Sequence, residues 1–205
     1  MSIEIETPHG PARAHVRVQA SPRALVVLGH GAAGGIGARD LVAVSRAAEA
    51  EEIGVVLVEQ PYRVAGRRSP APAAQLDAAW LSVVESLRAQ HQVRSALVVG
   101  GRSSGARVAC RTAGATGAVG VLCLAFPLQP PPRAGSAPAA SRLAELDAVE
   151  VPTLVIQGES DPFGMPPAGS NRTVARVPGN HSLTSDLAAV GAAAQEWLAR
   201  VVDGR

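Results

Sequence analysis

The sequence predicts a three-layer α/β fold, with a mostly parallel central sheet covered by helices on both faces. Apolar runs bounded by Gly and Pro predict the strands, at residues 24–28, 55–58, 96–99, 119–125 and 153–156. They lack polar alternation, as expected for parallel strands that are buried on both faces. Segments of helical periodicity separate them, at residues 38–51, 73–90, 105–113, 141–147 and 185–202. Since strand and helix alternate, we expect ligands to bind beyond the carboxyl ends of the strands.

The remaining elements lie at the edges of this pattern. Residues 3–5 and 15–18 predict an antiparallel hairpin at one sheet edge, and residues 173–177 predict a last strand before the C-terminal helix. Residues 127–138 are too rich in proline for a helix or a central strand, which predicts a loop on the rim. A chain of 205 residues fills one core well and is short for two enzyme domains, so we expect one domain over residues 1–205.

Charge and composition argue against a nucleic-acid partner. The formal net charge is only +2, and every basic residue other than histidine is an arginine. The arginines are scattered singly, apart from the pair Arg67 and Arg68, and an aromatic content of 2% leaves few platforms for stacking bases. The arginines are therefore better interpreted as part of a solvated surface.

The chain also lacks the usual signals for membranes, export and metals. Its first residues, MSIEIETPHG, contain neither a basic stretch nor an apolar one, and no apolar run approaches the roughly 20 residues of a membrane span. The two cysteines, Cys110 and Cys123, lie in apolar stretches and are expected to be buried thiols. We therefore expect a cytoplasmic protein that contacts no membrane and holds no metal.

One motif predicts a nucleophile. It directly follows the predicted strand at 96–99 and directly precedes a helix, and it reads Gly101-Arg102-Ser103-Ser104-Gly105. In a G-x-S-x-G turn of this kind the serine adopts a strained backbone conformation, and the glycines leave room where a Cβ would clash. With glycine at 21 positions the motif also arises by chance, so its position between strand and helix matters more than its letters.

A base and an acid follow in the chain at suitable places. Asp161 lies just beyond the strand at 153–156, and His181 lies in a turn between the last strand and the last helix. A serine hydroxyl needs such a pair, because it is a poor nucleophile at neutral pH without help. Taken alone, each residue is as well explained as a turn or surface residue, and Glu159 is the nearest competitor for the acid. The order Ser, Asp, His favours a catalytic triad.

A second motif has two interpretations. The sequence Gly29-His30-Gly31-Ala32-Ala33-Gly34 fits the G-x-G-x-x-G dinucleotide fingerprint, and Glu59 ends the next strand, where such proteins bind a ribose hydroxyl. The same loop can instead support an oxyanion hole opposite the nucleophile. The hydrolase interpretation also explains Ser103, Asp161 and His181, whereas the dinucleotide interpretation leaves them unexplained.

With these residues, the chain resembles the α/β-hydrolase family related to dienelactone hydrolases. The resemblance is to its small lidless branch, which includes the testis-expressed and nonspecific-lethal-complex proteins. It covers nearly the whole chain and is carried by residues 30–34, 100–107, 126–128, 157–164 and 179–181. It implies an α/β-hydrolase fold with minimal or no cap, a triad of Ser103, His181 and Asp161, and oxyanion donors in the backbone amides of Ala32 and Ser104.

The expected function is hydrolysis of an ester-like bond in a small molecule, without a cofactor. Loop position predicts that five residues line the substrate pocket: Tyr62, Arg102, Leu128, Phe163 and Met165. Some relatives in this branch serve as assembly subunits, so a catalytically silent interaction module is the second hypothesis. A dinucleotide-dependent enzyme is the third.

Overall fold

The computed structural model describes residues 1–18, 22–90, 96–131 and 139–204. Its strands are β1 (Ser2–Ile5), β2 (Ala12–Arg17), β3 (Ala24–Gly29), β4 (Gly54–Glu59), β5 (Ala96–Arg102), β6 (Gly120–Leu124), β7 (Thr153–Gly158) and β8 (Arg172–Val177). Its helices are α1 (Arg39–Ala50), α2 (Pro61–Val64), α3 (Ala73–Gln90), α4 (Ser104–Thr116), α5 (Leu143–Asp147) and α6 (Leu187–Val202).

The strands within these described residues form one mostly parallel sheet, in the order β1-β2-β4-β3-β5-β6-β7-β8. β1 and β2 are antiparallel to each other, β2 is antiparallel to β4, and all other pairs are parallel. The predicted three-layer α/β fold is confirmed.

Two apolar layers cover the sheet, one on each face. On one face α3 and α4 contribute Val83, Leu87 and Val108 against alternate residues of the strands. On the other face α1 and α6 contribute Leu41 and Leu198. Each such aliphatic side chain stabilises the fold by about 1.5–3 kcal/mol when it is fully buried. Consecutive residues of a strand point to opposite faces of the sheet. Because both faces are covered by apolar layers, the strands read as unbroken apolar runs in the sequence.

At the edge of the sheet, the bounds of the second strand differ from the sequence prediction. The predicted second strand at 15–18 is β2 at Ala12–Arg17, which begins three residues earlier. Its buried positions are Ala12, Ala14 and Val16, which alternate with more exposed polar residues. Alanine is a weak strand signal, so the first half of this strand was missed. The four-residue helix α2 was also missed, because it is too short to show a helical period.

The parallel strands direct the important loops to one edge of the sheet. The loops after β3, β5, β7 and β8 all leave from carboxyl ends and therefore lie near one another.

Of the predicted rim loop at 127–138, residues 132–138 lie outside the described residues, and the described part from 127 to 131 is irregular. The described residues between β6 and α5 contain no helix that could form a cap.

Two further predictions concern the environment of the cysteines and the presence of a membrane-spanning helix. Cys110 and Cys123 are both buried, and their Sγ atoms lie 3.5 Å apart. Across the described ranges, no helix is long and apolar enough to cross a membrane.

Candidate active site

Ser103 lies in a strained turn between β5 and α4. Its φ of 52° and ψ of −109° fall in a backbone region that residues other than glycine rarely adopt. The turn is held by the amide N–H of Ser103, which donates to the carbonyl oxygen of Leu124 at 2.8 Å. This backbone presents the serine hydroxyl beyond the end of the strand.

The glycines of the motif are required by the close approach of β3. A Cβ added to Gly101 or to Gly105 would lie 2.5 Å from the carbonyl oxygen of Gly29, the last residue of β3. Contacts this short with backbone atoms cannot be relieved by a side-chain rotation. The G-x-S-x-G pattern therefore reflects the packing of the turn.

His181 connects Ser103 to Asp161. Its Nε2 lies 3.0 Å from Ser103 Oγ, and its Nδ1 lies 2.8 Å from Oδ2 of Asp161. The Asp161 side chain is fully buried, and an ionised carboxylate can only accept hydrogen bonds. His181 Nδ1 therefore carries the proton, and Nε2 is free to accept one from the serine hydroxyl.

Asp161 is fixed by two further donors. The amide N–H of Phe163 donates to Oδ1 at 2.9 Å, and Gln157 Nε2 donates to Oδ2 at 2.8 Å. The competing carboxylate, Glu159, is exposed, and the imidazole of His181 is bonded to Asp161 instead.

Gln157 was missed by sequence reasoning. It is fully buried, and its Nε2 also lies 3.1 Å from the carbonyl oxygen of Phe126 and 2.9 Å from that of Gly164. The available signal was a polar residue at the end of an otherwise apolar strand. A buried amide in such a place is normally held by hydrogen bonds to specific partners.

The loop after β3 lies beside the serine turn. Its His30 is buried, with Nδ1 2.8 Å from the carbonyl oxygen of Gly31, and Nε2 accepts the amide N–H of Gln60 at 3.2 Å. These partners require the neutral ring with its proton on Nδ1. Burial lowers the pKa of His30, which also favours the neutral ring. A Cβ added to Gly31 would lie 3.6 Å from the Cβ of Ser103, so the loop borders the hydroxyl.

Two backbone amides in this region were predicted as oxyanion donors. Ser104 is the first residue of α4, so no carbonyl of its own helix can accept its N–H. Ala32 follows Gly31 in the neighbouring loop, and in the described part of the chain its N–H donates to no backbone carbonyl. Within the described residues, neither amide is therefore committed to a backbone carbonyl.

Two residues predicted to line the pocket make contacts within the protein. Tyr62 is buried, and its hydroxyl donates to the carbonyl oxygen of Ala32 at 2.9 Å. Arg102 donates from Nε to Oδ2 of Asp40 at 3.1 Å and from Nη2 to the carbonyl oxygen of His181 at 2.8 Å. Asp40 is buried and was also missed by sequence reasoning, because the predicted start of α1 gave it no distinguishing feature.

The other three predicted pocket residues lie in neighbouring loops. The ring of Phe163 packs on the imidazole of His181, with centroids 4.4 Å apart. Leu128 and Met165 are partly buried, and a Cβ added to Gly164 would lie 3.6 Å from Leu128 Cδ2. Of these three side chains, the structure records a contact with the imidazole for Phe163, and Leu128 lies beside the Gly164 backbone.

The dinucleotide interpretation fits the structure poorly. Helix α1 begins at Arg39, well after Gly34, whereas the fingerprint glycines should open the helix directly. Glu59 Oε2 lies 2.8 Å from His15 Nε2 and 3.9 Å from Arg13 Nη1, so its carboxylate is already bound at the sheet edge.

Comparison with known proteins identifies the family. Residues 22–201 match the family model of the alpha/beta hydrolase domain. The fold and the arrangement of side chains define the α/β-hydrolase class, and the chain belongs to this family.

Solved structures support the same fold. A lidless α/β serine hydrolase from Xanthomonas campestris has a TM-score of 0.78 at 21% identity, over 98% of this chain and 94% of that one. Est1E from Butyrivibrio proteoclasticus has a TM-score of 0.78 at 14% identity, over 98% and 99%. A dienelactone hydrolase from Anabaena variabilis has a TM-score of 0.75 at 14% identity, over 97% and 95%. Comparison with curated protein sequences gave no significant match.

Proposed function

We propose that the protein is a serine hydrolase that cleaves an ester-like bond of a small substrate through an acyl-enzyme. Ser103 is the nucleophile, His181 the general base and acid, and Asp161 the residue that orients the imidazole. The hydrogen-bond chain from Ser103 Oγ through His181 to Asp161, with lengths of 3.0 and 2.8 Å, supports this most strongly. Such a chain is the feature by which catalytic triads are recognised on unrelated folds.

Acylation follows from the positions of these atoms. As Ser103 Oγ bonds to the substrate carbonyl carbon, its proton passes to His181 Nε2, and the carbonyl oxygen gains the negative charge. The amides of Ala32 and Ser104 donate to this oxyanion, and loss of one such donor typically costs ~10²–10³ in kcat. When the intermediate collapses, the bond to the leaving oxygen breaks, and His181 Nε2 returns the proton to that oxygen.

Deacylation repeats these steps with water. His181 Nε2 accepts a proton from water as the hydroxyl oxygen bonds to the acyl carbon. Collapse then breaks the bond between Ser103 Oγ and the acyl carbon, and the proton returns to Oγ. The products are the free acid and the regenerated serine. Throughout, the buried carboxylate of Asp161 stabilises the imidazolium that forms in each half.

The substrate class is proposed from the loops around the site. Phe163 packs on the imidazole of His181, the partly buried Leu128 and Met165 add apolar surface in the same group of loops, and the described part of the connection from β6 to α5 contains no helix. We infer a small carboxylic ester or a related acyl compound, and membership of the small lidless branch related to dienelactone hydrolases. A site bordered by short loops encloses little of a long acyl chain.

A direct test is hydrolysis of short aryl esters by purified protein. Wild type is expected to turn over acetyl and butyryl esters, and Ser103→Ala is expected to lower kcat by ~10⁴-fold or more. The matched control is Ser82→Ala, because Ser82 lies on α3 and its hydroxyl donates to the helix carbonyl of Ala78. If wild type hydrolyses no ester in a broad panel, a silent interaction module becomes the better proposal.

A further inference from the structure

The guanidinium of Arg102 connects three loops of the candidate site. Arg102 is the last residue of β5 and directly precedes Ser103, so its backbone leads into the serine turn. Its Nη2 donates to the carbonyl oxygen of His181 at 2.8 Å, which ties the turn to the loop that carries the imidazole. Its Nη1 would lie 2.9 Å from a Cβ added to Gly31, so the guanidinium also packs against the loop after β3.

Asp40 fixes the direction of this guanidinium. Its Oδ2 accepts from Arg102 Nε at 3.1 Å, and its Oδ1 accepts the amide N–H of Leu41 at 2.9 Å. The Asp40 side chain is only 1% exposed, so its carboxylate depends on these partners. Burial raises the pKa of Asp40, whereas the charge of Arg102 lowers it.

The planar fork of an arginine suits this geometry. Because Nε is held by Asp40, the orientation of the whole guanidinium plane is set, and Nη2 is aimed at one backbone carbonyl. That carbonyl belongs to His181 itself. A small change in the position of this backbone would move the imidazole relative to Ser103 Oγ, and displacements near 1 Å can cost about 100-fold in rate.

We propose that Arg102, held by Asp40, is a positioning residue that sets the distance between His181 and Ser103. The kinetic part of this proposal rests on the proposed hydrolase function, whereas the structural part does not. Arg102 was predicted from sequence to line the substrate pocket. Its contacts assign it to the alignment of the imidazole instead.

The first test variant is Arg102→Lys. It keeps the positive charge, but a single ammonium group on a flexible stem does not reproduce the fork that bonds Asp40 and the His181 carbonyl together. A second variant combines Arg102→Met with Asp40→Asn, which removes the interaction without leaving an unpaired buried carboxylate. This second variant keeps the test valid if Arg102→Lys folds poorly.

Arg111→Lys is the matched control. Arg111 donates twice to the carboxylate of Asp77, at 2.6 and 2.8 Å, and once to Glu145 Oε2 at 3.4 Å, so it too makes several hydrogen bonds that a lysine cannot reproduce. Its side chain is 20% exposed, close to the 18% of Arg102, but it joins α4 to α3 away from Ser103. General loss of stability should affect both variants alike, and an effect on the imidazole should appear only with Arg102.

Two measurements test the proposal. The first is the low-field proton resonance of His181 Nδ1–H, which reports its hydrogen bond to Asp161 and requires no turnover. We expect it in wild type and in Arg111→Lys, and we expect it to be lost or shifted in both Arg102 variants. The second is ester hydrolysis, for which we expect kcat to fall ~10–100-fold in the Arg102 variants with KM changed less than about twofold.

The outcomes separate this proposal from the proposed function. If the folded Arg102 variants keep the wild-type resonance, or if Arg111→Lys loses it equally, Arg102 is not a positioning residue, whatever the enzyme does. The same holds if wild type is active and the Arg102 variants match its kcat. If wild type is inactive while the resonance depends on Arg102 alone, the alignment role stands and the hydrolase proposal fails.

Discussion

Gln157 Nε2 lies 2.8 Å from Oδ2 of Asp161, the same oxygen that accepts the hydrogen bond from His181. The amide therefore limits the positions that the carboxylate can adopt. The Gln157 side chain is held in turn by the carbonyl oxygens of Phe126 and Gly164, which belong to two different loops. The acid of the proposed triad is thus fixed from β7 as well as from its own turn.

Removing the side-chain amide of Gln157 should lower kcat while leaving KM nearly unchanged. In Gln157→Met a side chain of similar length replaces the donor, so Asp161 can rotate away from His181. We expect kcat to fall ~10–100-fold with little change in KM. The free energy of unfolding should also fall by about 1–3 kcal/mol, because buried acceptors lose their donor.

The control for this variant is Gln129→Met. Gln129 is exposed, and its Nε2 donates to the carbonyl oxygen of Ala139. Steady-state kinetics on a short aryl ester together with urea unfolding compare the two variants. Equal kcat values for Gln157→Met and Gln129→Met would show that the contact with Asp161 is dispensable.

The choice of acid can be tested by amide substitution. Asp161→Asn should leave the protein folded and lower kcat by ~10⁴-fold, because it disturbs the tautomer of His181 and removes the charge that stabilises the imidazolium. Glu159→Gln should be close to wild type, because Glu159 is exposed. The reverse ranking in a kinetic assay would mean that the wrong carboxylate was identified.

Acyl-chain length should have a clear effect on specificity. The proposed small, lidless site offers little apolar surface to a long acyl chain. Acetyl and butyryl aryl esters should therefore have higher kcat/KM than octanoyl or palmitoyl esters. A value of kcat/KM that rises steadily with chain length would contradict this and would require additional apolar surface.

Stability should depend on pH through His30. Burial lowers its pKa below the ordinary value of 6.5, so near that pH the unfolded chain binds the proton more tightly than the folded one. The stability that His30 contributes is fully present above its unfolded pKa and is lost as the pH falls toward its folded pKa. In that window the free energy of unfolding should fall by at most about 1.4 kcal/mol per pH unit.

Urea unfolding at about pH 7.5 and about pH 5 measures this loss. His30→Asn should show a smaller loss than wild type, since it removes the buried imidazole. His9→Asn is the matched control, because His9 is exposed, and it should keep the wild-type loss. An unchanged loss in His30→Asn would assign the acid sensitivity to other groups.

The sequence predicted the features that depend on local pattern. Unbroken apolar runs predicted the parallel strands, and the alternation with helices predicted the sheet that is observed. The elbow was also predictable, because Gly101 and Gly105 are needed wherever a second backbone approaches as Gly29 does. Ser103, Asp161 and His181 are brought together as predicted, although their catalytic roles stay predictions.

Features that depend on distant side chains were not predictable. Arg102 and Asp40 are 62 positions apart in the chain, and nothing in their local sequence indicates that they pair. Tyr62 was predicted to lie at the pocket from its loop position, but that position did not reveal that its hydroxyl donates to the carbonyl oxygen of Ala32. Patterns of spacing identify which loops meet, whereas the direction of a long side chain depends on packing that the sequence does not display.

Labelling with a fluorophosphonate probe, followed by peptide mapping, tests the central claim most directly. A serine activated by His181 and flanked by oxyanion donors should be phosphonylated far faster than any surface serine. We expect a single adduct at Ser103 in wild type and no adduct in His181→Ala, which should remain folded by circular dichroism. Well-folded wild-type protein that resists the probe, or is labelled equally in His181→Ala, would contradict the proposed nucleophile.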